Sequence, residues 1–306
     1  MYQGLKPFLC SLLFSVLANT SMAQQDAIAS QYHLNPAMIN PAYSGLYNSF
    51  MINANSRLQW MGLEGNPFSN FLTVTTSLLE KKVGGGILIS QDNIGITAST
   101  EMAVMGAYRI EMNNATFSFG LQGGFVNVKQ KFNDLTLRYQ DDPDFPQTTQ
   151  NSMKPNFGAG VAMMAERLFI GLSVPRLLDL KFEDGLSNST LYKRHYYASG
   201  AFIRDLTPMM KLKPVALLRY VQGAPLSYDL GANVLWNHKF WFGAYTRNFT
   251  TQGALFQLLV NQTIRLGYAI EVPTAKSIET RFITHEIVVG FDLSLFKDQD
   301  AFLRYF

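Results

Sequence analysis

The chain has a single cysteine in 306 residues, Cys10, and it lies in a stretch that reads as an export signal. A mature form without it has no disulfide framework and no thiolate chemistry. Charge is also scarce, 15% of residues against about 25% in ordinary soluble domains. The formal net charge is +3, and +2 once Lys6 is removed with the export signal, too small and too evenly spread for a nucleic-acid partner. No stretch offers the roughly 18 uninterrupted apolar residues of a membrane helix. There is no heptad, helical repeat or low-complexity tract. The histidines outside the export signal are His33, His195, His238 and His285. No two have ligand spacing, so neither a metal nor another cofactor is expected.

Residues 1–23 carry the features of a secretory signal: Lys6, an apolar run from Phe8 to Leu17, and Ser21-Met22-Ala23 before a cleavage point. Residues 24–47 form a lead-in broken by Asn35-Pro36 and Asn40-Pro41, which exclude a continuous helix or strand. Its apolar anchors Leu34, Met38 and Ile39 argue against a free tail, which should be more polar. A segment at the periplasmic mouth of a barrel, plug-like or docking a partner, is expected.

From residue 48 to 306 the pattern has period two. In 116–128, Phe117, Phe119, Leu121 and Phe125 alternate with Thr116, Ser118, Gly120, Gln122 and Gly124. In 48–60, Phe50, Ile52 and Leu58 oppose Asn53, Asn55 and Arg57. Fourteen strands are predicted, near 48–60, 67–78, 82–91, 98–110, 114–128, 154–166, 168–174, 194–204, 210–222, 227–237, 239–247, 252–260, 262–272 and 281–296. The even-numbered connections are short. All the long ones (129–153, 175–193 and 273–280) are odd-numbered. This points to an all-β, antiparallel outer-membrane barrel with short periplasmic turns and long extracellular loops. A closed barrel satisfies every backbone polar group in lipid. Thirteen per cent aromatics fit the interfacial girdles of such a wall, with Tyr43, Tyr47, Trp60, Tyr108, Tyr139, Tyr220, Trp236, Phe240 and Trp241 near strand ends.

The inward parity carries Arg57, Glu101, Arg109, Glu166, Arg219, Asp229, Arg247, Arg265, Glu271 and Glu286. Charges facing lipid cost about 2–4 kcal/mol at mid-bilayer, so lumen placement is expected. They either brace the lumen as ion pairs or line a selective pore; bracing is the favoured reading. His285 and Glu286 are adjacent on a strand and face opposite ways, so they cannot form a catalytic dyad. No enzymatic activity is expected. The acidic run Asp141-Asp142-Pro143-Asp144 lacks EF-hand spacing and reads as a solvated loop.

Ordered blocks then carry a resemblance. They are Gln31-Tyr32, Asn35-Pro36 and Asn40-Pro41-Ala42-Tyr43-Ser44-Gly45; Arg57-Leu58-Gln59-Trp60 with Gly65-Asn66-Pro67; Gln91-Asp92-Asn93-Ile94-Gly95; Gly171-Leu172-Ser173; Lys213-Pro214; Trp241 to Arg247; Gly267-Tyr268; Thr284-His285-Glu286-Ile287; and Arg304-Tyr305-Phe306. The chain resembles the PorP/SprF outer-membrane proteins of the type IX secretion and gliding machinery. Ala269-Ile270-Glu271 and Leu303 depart mildly from the family pattern. The resemblance implies a non-enzymatic barrel working with periplasmic ring or peptidoglycan-linked lipoproteins and with a secreted adhesin bearing a C-terminal sorting domain. Candidate partner contacts are Asn35, Pro36, Asn40, Pro41, Tyr43, Trp60, Gly62, Glu64, Gly65 and Asn93. The alternative is a porin or small-molecule channel using the Arg-lined lumen.

Overall fold

The structure is a computed structural model, described for residues 29–78, 82–134, 149–184, 187–274 and 282–294. The stretch read as an export signal, the acidic run, Tyr139 and the closing block lie outside these residues.

Its strands are β1 (Ser49–Leu58), β2 (Phe68–Leu78), β3 (Val83–Ile94), β4 (Thr97–Met112), β5 (Ala115–Gln130), β6 (Gln150–Ala165), β7 (Leu168–Val174), β8 (Leu180–Asp184), β9 (Ser187–Tyr192), β10 (His195–Phe202), β11 (Arg204–Thr207), β12 (Met210–Val221), β13 (Ser227–Trp236), β14 (Phe240–Arg247), β15 (Thr251–Leu259), β16 (Ile264–Pro273) and β17 (Thr284–Ser294). All except β8 and β9 belong to one antiparallel sheet of sequential neighbours. β11 continues β10 beyond Ile203, so the wall has fourteen strands. The β10–β11 strand pairs with its sequential neighbour β12, and the ring closes where β1 pairs with β17, from Ser49↔Ser294 to Leu58↔His285. β8 and β9 form a separate hairpin in the 175–194 connection, which the sequence pattern did not announce.

The two-residue period places the side chains. On β5, Ser118, Gln122, Val126 and Val128 are buried, while Phe119, Leu121 and Phe125 are half exposed on the outer face. β16 and β17 behave alike, with Glu271, Thr284 and Glu286 inside and Leu266, Tyr268, Ile287 and Val289 outside. An apolar outer belt suits lipid, and the ladder leaves no backbone edge open in it.

The buried apolar core sits in the lumen. Tyr32, Met38, Ile39, Tyr43, Leu46 and Tyr47 of the lead-in pack with wall residues that include Met51, Phe71, Leu88, Met105, Met164, Phe169 and Leu217. Tyr43 and Tyr47 are therefore core side chains rather than girdle residues. Trp241 also points inward and is buried. Tyr108, Tyr220 and Trp236 remain on the outer surface. Glu166 does not reach the lumen. It lies one residue past the end of β6, where the alternation stops, and is exposed in the β6–β7 turn.

Candidate functional site

The site is built from the lead-in upward. Three short 3-10 turns, Tyr32–Leu34, Pro36–Met38 and Pro41–Tyr43, fold it into a compact chain. Proline opens the second and third turns, where its missing N–H has no helical partner to lose. Asn40 caps the third, accepting a bond from the Ala42 N–H at 2.9 Å. The same Asn40 amide donates to the carbonyls of Val161 and Leu172 at 3.1 and 3.3 Å, tying the turn to β6 and β7. Asn35 donates to Asn55 Oδ1 at 2.9 Å and accepts from Thr73 at 2.6 Å. Ser118 donates to the Ala42 carbonyl and Ser173 to that of Ile39.

Inward-facing glycines make the room. A Cβ on Gly120 would lie 2.2 Å from the Ala42 nitrogen, and one on Gly84 would lie 1.7 Å from the Ser44 carbonyl oxygen. The sequence shows these glycines as ordinary small lumen positions. The structure shows that they let backbone meet backbone.

The two ends of this plug are held differently. At the short-turn end, Arg109 donates to the Gly45 carbonyl, Asn48 Oδ1 and Ser77 Oγ, each at 2.6 Å. At the long-loop end, six charges, five buried and Arg247 nearly so, alternate in one line: Glu286, Arg57, Glu271, Arg247, Asp229 and Arg219. Arg57 bonds both Glu271 and Glu286, the latter at 3.3 Å. Arg247 lies 3.5 Å from Glu271 and 3.0 Å from Asp229, and Arg219 lies 3.5 Å from Asp229. Three cations meet three anions, so the line is neutral as a whole. The plug docks on it through main chain: the N–H groups of Ser30 and Gln31 reach the two oxygens of Glu286 at 2.6 and 3.0 Å. Ser30 Oγ also donates to Glu271 at 2.7 Å.

The segment is thus not confined to the periplasmic mouth. It threads the lumen from the Arg109 level, beside the start of β1, to the level of Glu271 and Glu286, close to the long loops. Its apolar side chains and the glycine-lined wall draw it the whole way in.

The candidate contact residues separate into two groups. Asn35, Pro36, Asn40, Pro41 and Tyr43 are buried in the lumen. Gly62, Glu64 and Gly65 are exposed beside partly buried Trp60 at the long-loop end, and Asn93 lies near the end of β3. Of the remaining lumen charges, Glu101 accepts two bonds from Arg176, at 2.9 and 2.6 Å, and Arg265 donates to Asn53 at 3.0 Å. Among the described residues, Lys213 and Arg176 are inward cations that the parity list missed. Lys213 is buried with its ammonium 5.8 Å from the centroid of the Trp241 ring, and its parity with Val215 and Leu217 could have found it. Arg176 reaches in from a loop, where no periodicity points.

Residues 21–291 match the family model of the type IX secretion system membrane protein PorP/SprF. The chain belongs to the PorP/SprF family. It is a non-enzymatic outer-membrane barrel of the type IX secretion system. No curated protein matches it. Among solved structures this PorP/SprF chain is similar to the outer membrane protein Omp33 of Acinetobacter baumannii, at 10% identity and a TM-score of 0.48, covering 81% of this chain and 99% of that one. It is also similar to the CymD monoaromatic hydrocarbon channel, at 10% identity and 0.49, covering 89% and 94%. The P. putida toluene transporter TodX stands at 8% and 0.48, covering 86% and 95%. Those likenesses concern the barrel alone and carry no activity to the PorP/SprF chain.

Proposed function

We propose that this barrel serves type IX secretion as a plugged scaffold rather than as a conduit. The observation that carries the reading is that the chain's own residues 29–47 fill its lumen, held at both ends and along the wall. On this reading the lumen charges brace the plug and do not select solutes. On this reading the partner-facing connections are those the sequence pattern assigns to the outside, 61–66, 92–97, 129–153 and 175–193, and the candidate contacts at or beside them are Trp60, Gly62, Glu64, Gly65 and Asn93. They present a surface to a secreted adhesin bearing a C-terminal sorting domain, while the short-turn face meets ring or peptidoglycan-linked lipoproteins. These partners follow from the family resemblance. The buried contact candidates Asn35, Pro36, Asn40, Pro41 and Tyr43 act by holding the plug.

The test pairs two measurements on purified wild-type protein and on a Gly120→Val variant that crowds the plug. In planar bilayers, the wild type is expected to show no steady ohmic conductance, and the variant to open a measurable one. Cross-linking from intact cells is expected to capture secretion components on the wild type. A stable, solute-selective wild-type pore without captured secretion components would support the porin reading instead.

A further inference from the structure

One region of the outer wall departs from the even belt expected of a barrel. Ladder pairing aligns Tyr108, Phe119, Val161, Leu172, Ala198 and Leu218 in one cross-strand row from β4 to β12. Next to it, Leu121 pairs with Ala159 and Ala159 with Val174, while Tyr196 pairs with Tyr220. Both rows are bulky at their outer ends, and between them smaller side chains surround a half-exposed Leu172. Ala159, Val161, Val174 and Ala198 make a low floor. Phe119 and Leu121 wall one side, and Tyr196 and Tyr220 the other. The result is an apolar concavity of about 890 Å³ on the lipid-facing surface.

Its long-loop end is basic. Arg194 stands two residues before Tyr196, just ahead of β10, and is exposed, with its Nε donating to the Leu177 carbonyl at 2.8 Å. Lys193 is exposed beside it, 3.4 Å from the Gln222 carbonyl oxygen. Asp179 accepts the Arg194 backbone N–H at 2.9 Å.

We infer that this concavity is a binding site for one phosphate-bearing lipid of the membrane, with its acyl chains on the Ala159–Ala198 floor and its phosphate on Lys193 and Arg194. Three observations single out a lipid. The hollow is continuous with the lipid-facing belt, so acyl chains already bathe it. The row beneath it is fully laddered, which leaves no backbone edge for an added strand. The cations stand where an anionic headgroup would lie above its chains. The site goes beyond scaffolding: it would make a specific lipid part of the folded barrel.

The experiment uses the full chain, extracted from its own outer membrane in mild detergent. After detergent exchange, residual lipid is counted by mass spectrometry per polypeptide. The wild type is expected to retain about one phosphate-bearing lipid. Ala159→Trp with Ala198→Trp fills the floor from the lipid side and should cut retention about tenfold or more. Lys193→Glu with Arg194→Glu should cut retention of phosphate-bearing lipid about fivefold while sparing uncharged lipid. Heat-modifiable gel mobility checks that each variant is folded. Retention of a phospholipid or of a phosphorylated glycolipid identifies the source. Equal retention in wild type and filled variant would overturn the inference, as would retained lipid that merely mirrors the bulk membrane. A photo-cross-linker at Tyr196 that captures a polypeptide rather than lipid would overturn it too.

Discussion

The two ends of the plug solve one problem, holding a charged lumen around a neutral chain, in opposite ways. At the short-turn end a lone guanidinium, Arg109, bonds neutral oxygens, one from the plug at Gly45 and one from Asn48, which joins the plug to β1. At the long-loop end the charges satisfy one another in a line of six, and the plug joins through two main-chain N–H groups and a hydroxyl. Neutral grips fail locally, because losing Arg109 leaves only a few acceptors short of a donor. A line of charges fails collectively, because removing one inner member takes a partner from both of its neighbours.

That difference sets the order of expected effects. Arg57→Met leaves Glu286 without its cation and Glu271 with Arg247 alone, and should destabilise the barrel by about 3–5 kcal/mol, read as a lowered midpoint in urea unfolding followed by gel mobility. Gly120→Val drives a side chain into the Ala42 backbone and should cost about 3 kcal/mol. It should also expose the 29–47 stretch to protease. Arg109→Gln should cost about 1–2 kcal/mol, since the acceptors left behind are neutral. Equal losses for Arg57→Met and Arg109→Gln would break the contrast. A double variant, Arg57→Met with Arg109→Gln, sharpens it. The ends lie at opposite ends of β1 and share no partner, so their costs should add within about 0.5 kcal/mol. The smallest effect belongs to the rim: Glu64→Ala should shift stability by no more than about 0.5 kcal/mol. If its loop meets a secreted partner, pull-down yield should fall without any change in the unfolding midpoint.

The wall was legible in the sequence because its rule is local. Alternation along each strand told inside from outside for Arg57, Asn53, Phe119 and Leu121 without knowledge of any neighbour. Loop lengths told one rim from the other. The interior was legible only in part, since its rule is not local. Parity placed Arg57 and Glu286 inward, but their pairing depends on the first strand meeting the last, which only closure decides. The lead-in was recognisable as ordered from Leu34, Met38 and Ile39. Its route was hidden, because Asn40 finds its acceptors at Val161 and Leu172, on strands more than a hundred residues away, and because glycine gives the same sign whether it faces empty lumen or a backbone. Arg176 shows the same limit from the other side: it comes from a loop with no period to betray its direction.

The seat for Ser30 and Gln31 is made by Glu286 on β17, the last strand of the wall, and Glu271 on β16 serves Ser30 beside it. The earliest residues of the folded body therefore have nowhere to settle until the latest strands have been made and delivered. Contacts of such sequence separation are the slowest for a chain to find. Seating of the plug thus marks the end of assembly: a truncated or half-inserted barrel lacks the carboxylates that would hold Ser30 and Gln31, and their seating certifies a finished wall.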